Sequence, residues 1–326
     1  MLRTTLIMPV YNAEKTIERA VLSVDRCLAY STDISLIALD DCSSDSTFSI
    51  LNELSISRPY LSVHRSTENV GPGKLRNSAI EMANTDFVGF LDADDEIKPE
   101  AYMNMLRINN ATSSDVITFN AIVKNGGEEK FRYDFDRLVT DHDELVSLCS
   151  RGELDGSVIF SLYSKQFIDN HNIRFENWYF EDIPFAYKAM MLAEQFTIHS
   201  EVCYVKHDTD GSIVNSISNK HILGLVHSCF EIYEFTRNLP NVDPQMARSD
   251  HEYCLAGYIS TILEGIAKHG SLKEQHLLLE LLSETLKKYN VDAYQDFLPT
   301  PKGTIANRYL TKLRQRESFQ ISELFD

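Results

Sequence analysis

Short apolar runs alternate with helix-spaced apolar positions through the first half of this 326-residue chain. Thr5 to Val10, Ile34 to Leu39, Leu61 to His64, Phe87 to Leu91 and Val116 to Val123 have the length and continuous apolar character of buried strands. Between the first two, Ile17, Ala20, Val21, Val24 and Leu28 recur at helical spacing, which predicts an amphipathic helix over one sheet face. Strand, helix and strand in repetition predict an α/β domain with a mainly parallel sheet. Ser157 to Tyr163 and Phe196 to Val205 predict further strands. After about Ser216 the period changes. Ile222, Val226, Cys229 and Tyr233 form one helical stripe, and Leu278, Leu281, Leu282 and Leu286 another, in a stretch opening at Ser271. Pro240 with Pro244, and Pro299 with Pro301, mark loops between helices. Two domains are expected: residues 1–215, and an all-helical extension over 216–326.

A composition of 43% hydrophobic and 24% charged residues is that of a globular protein. The net charge of -17 opposes unspecific binding to nucleic acid. No apolar run is long enough to cross a membrane, and Met1-Leu2-Arg3 leads almost directly into the first strand, too weak a flank for a signal peptide. Cys27, Cys42, Cys149, Cys203, Cys229 and Cys254 lack the close spacing of zinc or redox motifs, so buried free thiols in a reducing cytoplasm are expected. Lys302, Arg308, Lys312, Arg314 and Arg316 lie in a stretch without acids. It reads first as a solvated helix face, and otherwise as a docking strip for anionic lipid headgroups or a phosphate-rich polymer.

The run Phe87 to Asp95 carries the most chemistry. An apolar strand ends abruptly in Asp92, Asp94 and Asp95. A buried strand delivers its last side chains to the carboxyl edge of the sheet, where open α/β folds bind ligands. Oxygen-only ligands there suit Mg²⁺ or Mn²⁺, especially a cation that already carries substrate phosphates. Acids that merely solvate a loop are the plain alternative. The first strand ends in Pro9-Val10-Tyr11-Asn12 and the second in Asp40-Asp41-Cys42-Ser43-Ser44-Asp45-Ser46-Thr47, so three strand ends converge on one cleft. Asn69 to Asn77 forms a glycine-containing loop entering a helix, with Lys74 and Arg76 as cations for phosphate oxygens. It matches neither the Walker pattern nor a dinucleotide fingerprint.

In order along the chain, P-V-Y-N at Pro9 to Asn12, D-D-C-S-S-D-S-T at Asp40 to Thr47, N-V-G-P-G-K-L-R-N at Asn69 to Asn77, F-L-D-A-D-D at Phe90 to Asp95, F-E-N-W-Y-F-E-D at Phe175 to Asp182 and G-S-I at Gly211 to Ile213 resemble the inverting family-two glycosyltransferases. The resemblance implies the GT-A fold, a Rossmann-like α/β domain that binds a nucleotide-sugar. It implies that Asp41 accepts the uracil imide hydrogen bond, with Pro9, Tyr11 and Asp40 lining the base pocket. It places Asn69, Arg76 and Ser212 among the donor contacts, Asp92 near the ribose, Asp94 on the metal, and Asp95 as an orienting or donor-sugar contact. Asp182 would be the general base and Glu181 its partner or an acceptor contact; Asp182-Ile183-Pro184 also fits a helix cap. His207 stands where relatives often carry arginine, as a metal or diphosphate contact or a structural residue. Thr209 lacks the frequent second arginine, and Cys42 and Leu75 replace a common glycine and alanine.

The implied activity is metal-dependent transfer from a UDP-sugar to a hydroxyl of a bacterial surface glycan, free or lipid-linked. The place of action is the cytoplasm or the inner face of the plasma membrane, with the C-terminal helices serving acceptor, membrane or self-association. Two other readings share the fold: a catalytically silent glycan-binding scaffold, and a sugar-nucleotidyltransferase. The latter needs a glycine-rich basic loop after the first strand, where Pro9-Val10-Tyr11-Asn12-Ala13 stands instead.

Overall fold

A computed structural model describes residues 3–31, 33–124, 133–150, 153–207, 217–240, 242–268, 271–315 and 319–325. In chain order the elements are β1 (Thr4–Val10), α1 (Ile17–Asp25), β2 (Ile34–Asp40), α2 (Thr47–Ile56), β3 (Leu61–Arg65), α3 (Pro72–Met82), β4 (Phe87–Phe90) and β5 (Glu96–Ile97). They continue with α4 (Pro99–Thr112), β6 (Val116–Lys124), β7 (Arg137–Val139), α5 (His142–Ser150), β8 (Ser161–Ser164), α6 (Lys165–Asn170), α7 (Asp182–Leu192) and β9 (Phe196–His207). Four longer helices follow: α8 (Asn219–Thr236), α9 (Pro244–Lys268), α10 (Leu272–Lys288) and α11 (Pro301–Gln315).

The strands form one sheet in the order β3-β2-β1-β4-β8-β6-β9-β5, with β7 also paired to β9. Its first four strands run parallel, with Ile7 opposite both Ile37 and Phe90. Leu6, Ile7 and Met8 are all buried, as expected of a strand covered on both faces. Antiparallel pairing enters with β8, which lies between β4 and β6. The parallel β6–β9 ladder shifts register on either side of Asn120. There the buried Asn120 amide substitutes for ladder bonds, donating to the carbonyls of Tyr133 and Ser200 at 2.7 Å and accepting the Tyr133 N–H at 2.9 Å.

The strands expected from the apolar runs are present, with one change of form. Val158–Phe160 is a 3-10 turn, and only Ser161–Ser164 pairs in the sheet. All three turn residues are buried; their apolar character reported burial and not an extended backbone. The two-residue β5 and three-residue β7 are too short to carry a period.

The chain divides into two compact units. One is built on the sheet; the other combines α8 to α11 with Ser147–Leu154 and Trp178–Pro184. In the first, Phe90 packs edge-on against Phe175 and Phe185, which stack on each other at 4.0 Å. In the second, Ile222, Val226, Leu255, Ile259, Leu263, Leu282, Leu286 and Leu310 form a common apolar core. Ser271 caps α10 in a reciprocal box with Glu274. Within the basic stretch, Arg308 donates to the Leu324 carbonyl at 2.9 Å, Lys312 pairs with Glu323 at 3.2 Å and Arg314 with Asp296 at 3.0 Å. Lys302 is exposed, and Arg316 lies outside the described residues. All six cysteines are free, four of them buried. Among the described residues, no helix is long and apolar enough to cross a membrane.

His251 is buried in the helical unit, stacked on Tyr233 at 4.2 Å with its Nδ1 3.7 Å from Cys229 Sγ. Burial, reinforced by the Arg248 charge, lowers its pKa from 6.5 to about 3. The unfolded chain therefore takes up this proton first, and the neutral ring supports folding fully above pH 6.5. Each pH unit below that costs up to ~1.4 kcal/mol until the folded group also titrates. Chemical denaturation followed by helical circular dichroism between pH 4.5 and 7.5 should give a shallower dependence of stability on pH for His251→Phe than for the wild type. Equal slopes would remove His251 as the titrating group.

Candidate active site

Because β1, β2 and β4 are parallel neighbours, their carboxyl ends deliver Pro9 to Asn12, Asp40 to Thr47 and Leu91 to Asp95 to one edge of the sheet. Pro9 is half-buried opposite Leu39, while Tyr11 remains exposed. The two turns grip each other: the Asn12 N–H donates to Ser43 Oγ, and Asn12 Oδ1 accepts the Ser44 N–H, each at 2.9 Å. Asn12 and Cys42 both have left-handed backbones, with φ of 48° and 60°. Cys42 thus keeps a conformation that the family's common glycine adopts freely, at a cost of about 1–2 kcal/mol.

Asp40 is fully buried. Its Oδ2 pairs with Arg65 Nε and accepts the Ser43 N–H, both at 3.1 Å, while Oδ1 has no hydrogen-bond partner among the described residues. The adjacent Asp41 is buried and reaches into the loop before α3, where Oδ1 accepts the Val70 N–H at 2.8 Å and Oδ2 the Gly71 N–H at 2.9 Å. Asn69 completes this junction through a 3.4 Å bond to the Asp41 carbonyl. Gly71 has φ of +87° and precedes Pro72 at the helix start, so the loop turns sharply just where Asp41 holds it.

One turn into α3, Arg76 is buried. It lies 5.4 Å from the Phe175 ring and donates from Nη2 to Asp92 Oδ1 at 3.2 Å. The neighbouring Asn77 holds Phe175 by both backbone groups, accepting its N–H at 2.9 Å and donating to its carbonyl at 2.8 Å.

Beyond β4, one carboxylate oxygen from each of Asp92, Asp94 and Asp95 lies within 4.8 Å of the other two. The buried Asp95 accepts the Tyr204 hydroxyl at 2.8 Å on Oδ2 and the His207 N–H at 2.7 Å on Oδ1. Tyr204 in turn accepts the Asp92 N–H at 3.1 Å, so one buried phenol ties both ends of the acidic turn. Burial, then the charge of Asp92, raises the Asp95 pKa to about 8. His207 is not in the three-acid cluster: its Nε2 lies 2.8 Å from Glu96 Oε1. Glu96 also pairs with Arg19 and Arg26, each at 3.7 Å, and the Arg19 guanidinium donates to the Asp94 carbonyl. Three crowded carboxylates, with all-oxygen donors and mutual repulsion that a cation relieves, fit a hard divalent ion.

Glu181 is buried and Asp182 half-buried in the second unit. The helix α7 includes Asp182 in its own first turn, so the acid that resembled a cap is already helical. Ser212, with Thr209, Gly211 and Ile213, lies outside the described residues. Tyr204, Glu96, Arg19 and Arg65 carry no local motif in the sequence; their parts arise from contacts between elements distant along the chain.

A sheet whose parallel strands end in this acidic turn, followed by C-terminal helices, defines a GT-A protein. The chain belongs to glycosyl transferase family 2, whose model matches residues 5–171. It is similar to the poly(ribitol-phosphate) beta-N-acetylglucosaminyltransferase TarS of Staphylococcus aureus strain Mu50, at 32% identity over 130 residues that cover 39% of this chain and 22% of that protein. It thus spans about a fifth of the length of that relative. It is also 25% identical over 286 residues to the corresponding enzyme TarP of S. aureus strain N315, covering 84% of this chain and 82% of TarP. The fold matches the crystal structure of S. aureus TarS 1-349 in complex with UDP-GlcNAc, with a TM-score of 0.75, 20% identity, and coverage of 99% of this chain and 90% of that one.

Replacing Asp41 by alanine should release the loop that its carboxylate holds. Hydrogen exchange at the Val70 and Gly71 amides is expected to accelerate by about tenfold or more, the equivalent of losing charge-assisted bonds worth roughly 1.5–3 kcal/mol each. Unchanged exchange there would show that Asp41 does not hold the loop.

Proposed function

We propose that the chain is a divalent-cation-dependent, inverting glycosyltransferase that moves a sugar from a UDP-sugar to a hydroxyl of a bacterial surface glycan. The observation that carries this reading is the Asp92–Asp94–Asp95 cluster at the carboxyl edge, beside the Asp41-held loop, in a family 2 chain.

Asp41 accepts the uracil N–H, and a carboxylate at that point favours uracil over cytosine by hydrogen-bond polarity. Asp40 and Arg65 hold the turn that presents it, with Pro9 and Tyr11 lining the base and Asn69 at the loop. Asp94, with Asp92 and Asp95, would hold Mn²⁺ or Mg²⁺, which would supply charge neutralisation to the diphosphate leaving group. Arg76 sets the Asp92 carboxylate through its guanidinium. His207 supports Asp95 through its N–H; its imidazole is available to cation or diphosphate only on leaving Glu96.

An acceptor hydroxyl is a weak nucleophile while it keeps its proton. Asp182 takes that proton as the acceptor oxygen bonds to the anomeric carbon and the bond from that carbon to the diphosphate oxygen breaks, releasing UDP and inverting the centre. Glu181 orients Asp182 or the acceptor. The names of TarS, TarP and the poly(ribitol-phosphate) beta-glucosyltransferase of Bacillus spizizenii support a polyol-phosphate chain as acceptor, with UDP-GlcNAc and UDP-glucose as the first donors to try. Action at the cytoplasmic side follows from the use of UDP-sugars. Self-association through the C-terminal helices completes the reading; in the basic stretch Arg308, Lys312 and Arg314 are engaged within the chain, which favours a solvated helix face over an anionic-surface contact.

Isothermal titration with UDP, with and without Mn²⁺, followed by donor turnover and NMR of the product anomer, tests it. Asp94→Asn should abolish most of the Mn²⁺-dependent gain in UDP affinity, on the order of tenfold. Asp182→Asn should keep that affinity and lower kcat by about 10²–10⁴; near-normal turnover would sink the base assignment. Tyr204→Phe, which removes only the hydroxyl between Asp92 and Asp95, should weaken Mn²⁺ binding to the nucleotide-free protein several-fold, measured by electron paramagnetic resonance. UDP binding without Mn²⁺ should stay at the wild-type level.

A further inference from the structure

The stretch that ends in Glu181 and Asp182 is seated on one face of α8. A Cβ placed on Gly224 would lie 2.3 Å from the Tyr179 carbonyl oxygen and 2.9 Å from its carbonyl carbon, so helix and loop touch backbone to backbone there. The obstacle is main chain, which cannot turn aside as a flexible side chain would. One turn further along, the fully buried Ser228 donates from Oγ to the Phe180 carbonyl at 3.0 Å and accepts Trp178 Nε1–H at 3.3 Å. One turn earlier, the buried His221 ring packs against Tyr179 at 5.2 Å and Phe180 at 5.8 Å. His221, Gly224 and Ser228 follow the helical repeat and share one face. Between these anchors Phe180 adopts a left-handed backbone with φ of 62°, unfavourable for a bulky side chain and kept only where its surroundings impose it.

We propose that this face of α8 is a cradle that sets the backbone from which the general base projects, making Gly224 and Ser228 positioning residues for the transfer reaction. The inference rests on the reading of Asp182 as base. It gives the helical unit a part in the chemistry beyond meeting an acceptor: Phe180, immediately before Glu181 and Asp182, is held by its carbonyl, its ring and the carbonyl that precedes it. A base displaced by about 1 Å loses on the order of 10²-fold in rate. The cradle therefore acts on kcat, while the carboxyl edge that carries Asp41 and Asp94 is built by other elements.

The test uses the full chain with Mn²⁺ and the UDP-sugar it hydrolyses fastest, water serving as acceptor. Gly224→Ala should lower kcat about 10²-fold and Ser228→Ala about tenfold, with KM for the donor and the UDP affinity within twofold of the wild type. In a double-mutant cycle, adding Asp182→Asn to Gly224→Ala should cost far less than Asp182→Asn alone, because a displaced base has little left to lose. Hydrogen exchange, which needs no substrate, should show faster exchange at the Glu181 and Asp182 amides in Ser228→Ala while α9 and α10 stay protected.

Wild-type kcat in Ser228→Ala together with unchanged exchange at those amides overturns the cradle, and so does an additive cycle. If Gly224→Ala unfolds the helical unit, the Ser228→Ala arms decide alone. Full turnover by Asp182→Asn itself marks failure of the base assignment, a result distinct from failure of the cradle when Asp182→Asn is inactive.

Discussion

Negative charge gathered at the end of one buried strand is the constraint around which this molecule is arranged. Asp92, Asp94 and Asp95 lie close enough to repel one another strongly, and Asp95 is almost wholly removed from water. That arrangement persists because other elements supply donors to it: the Tyr204 hydroxyl, the His207 N–H, and the Arg76 guanidinium on Asp92. The same chemistry recurs one layer out, where Glu96 draws in Arg19, Arg26 and His207. Buried carboxylates are costly, and burial, then the charge of Asp92, raises the Asp95 pKa to about 8.

The parallel half of the sheet explains why acids separated by about fifty residues meet at one edge. Strands in register and pointing the same way end at the same level, so the turns after β1, β2 and β4 become neighbours. Each turn is then fixed by its neighbour's polar side chains: Asn12 with Ser43 and Ser44, and Asp41 with Val70 and Gly71. The left-handed backbone at Cys42 and the sharp bend at Gly71 are the local distortions this convergence requires. Preorganised groups of this kind suit a site that must grip a charged ligand without rearranging.

The helical unit takes in Trp178–Pro184, a stretch that lies between sheet elements along the chain. Its hold on that stretch depends on glycine at 224 and a small hydroxyl at 228. Apolar stripes built the helices, but the seat for Tyr179 and Phe180 lies on another face of α8, at Gly224 and Ser228.

Much of this was legible in the sequence because its signals are local. The apolar runs of β1 to β4, the helical stretch opening at Ser271, the loop entering α3, and the motifs at Asp40–Asp41, Asp92–Asp95 and Glu181–Asp182 each lie within a few residues. Which oxygen of Asp41 meets which amide, and the tie of Asp95 to Tyr204 across 109 positions, were decided by tertiary structure. So were the 3-10 form of Val158–Phe160, the short strands β5 and β7, and the seating of Tyr179 on Gly224. Periodicity and turn chemistry are properties of neighbours along a chain. Partners brought together by sheet register and helix packing leave no mark until the fold has placed them side by side.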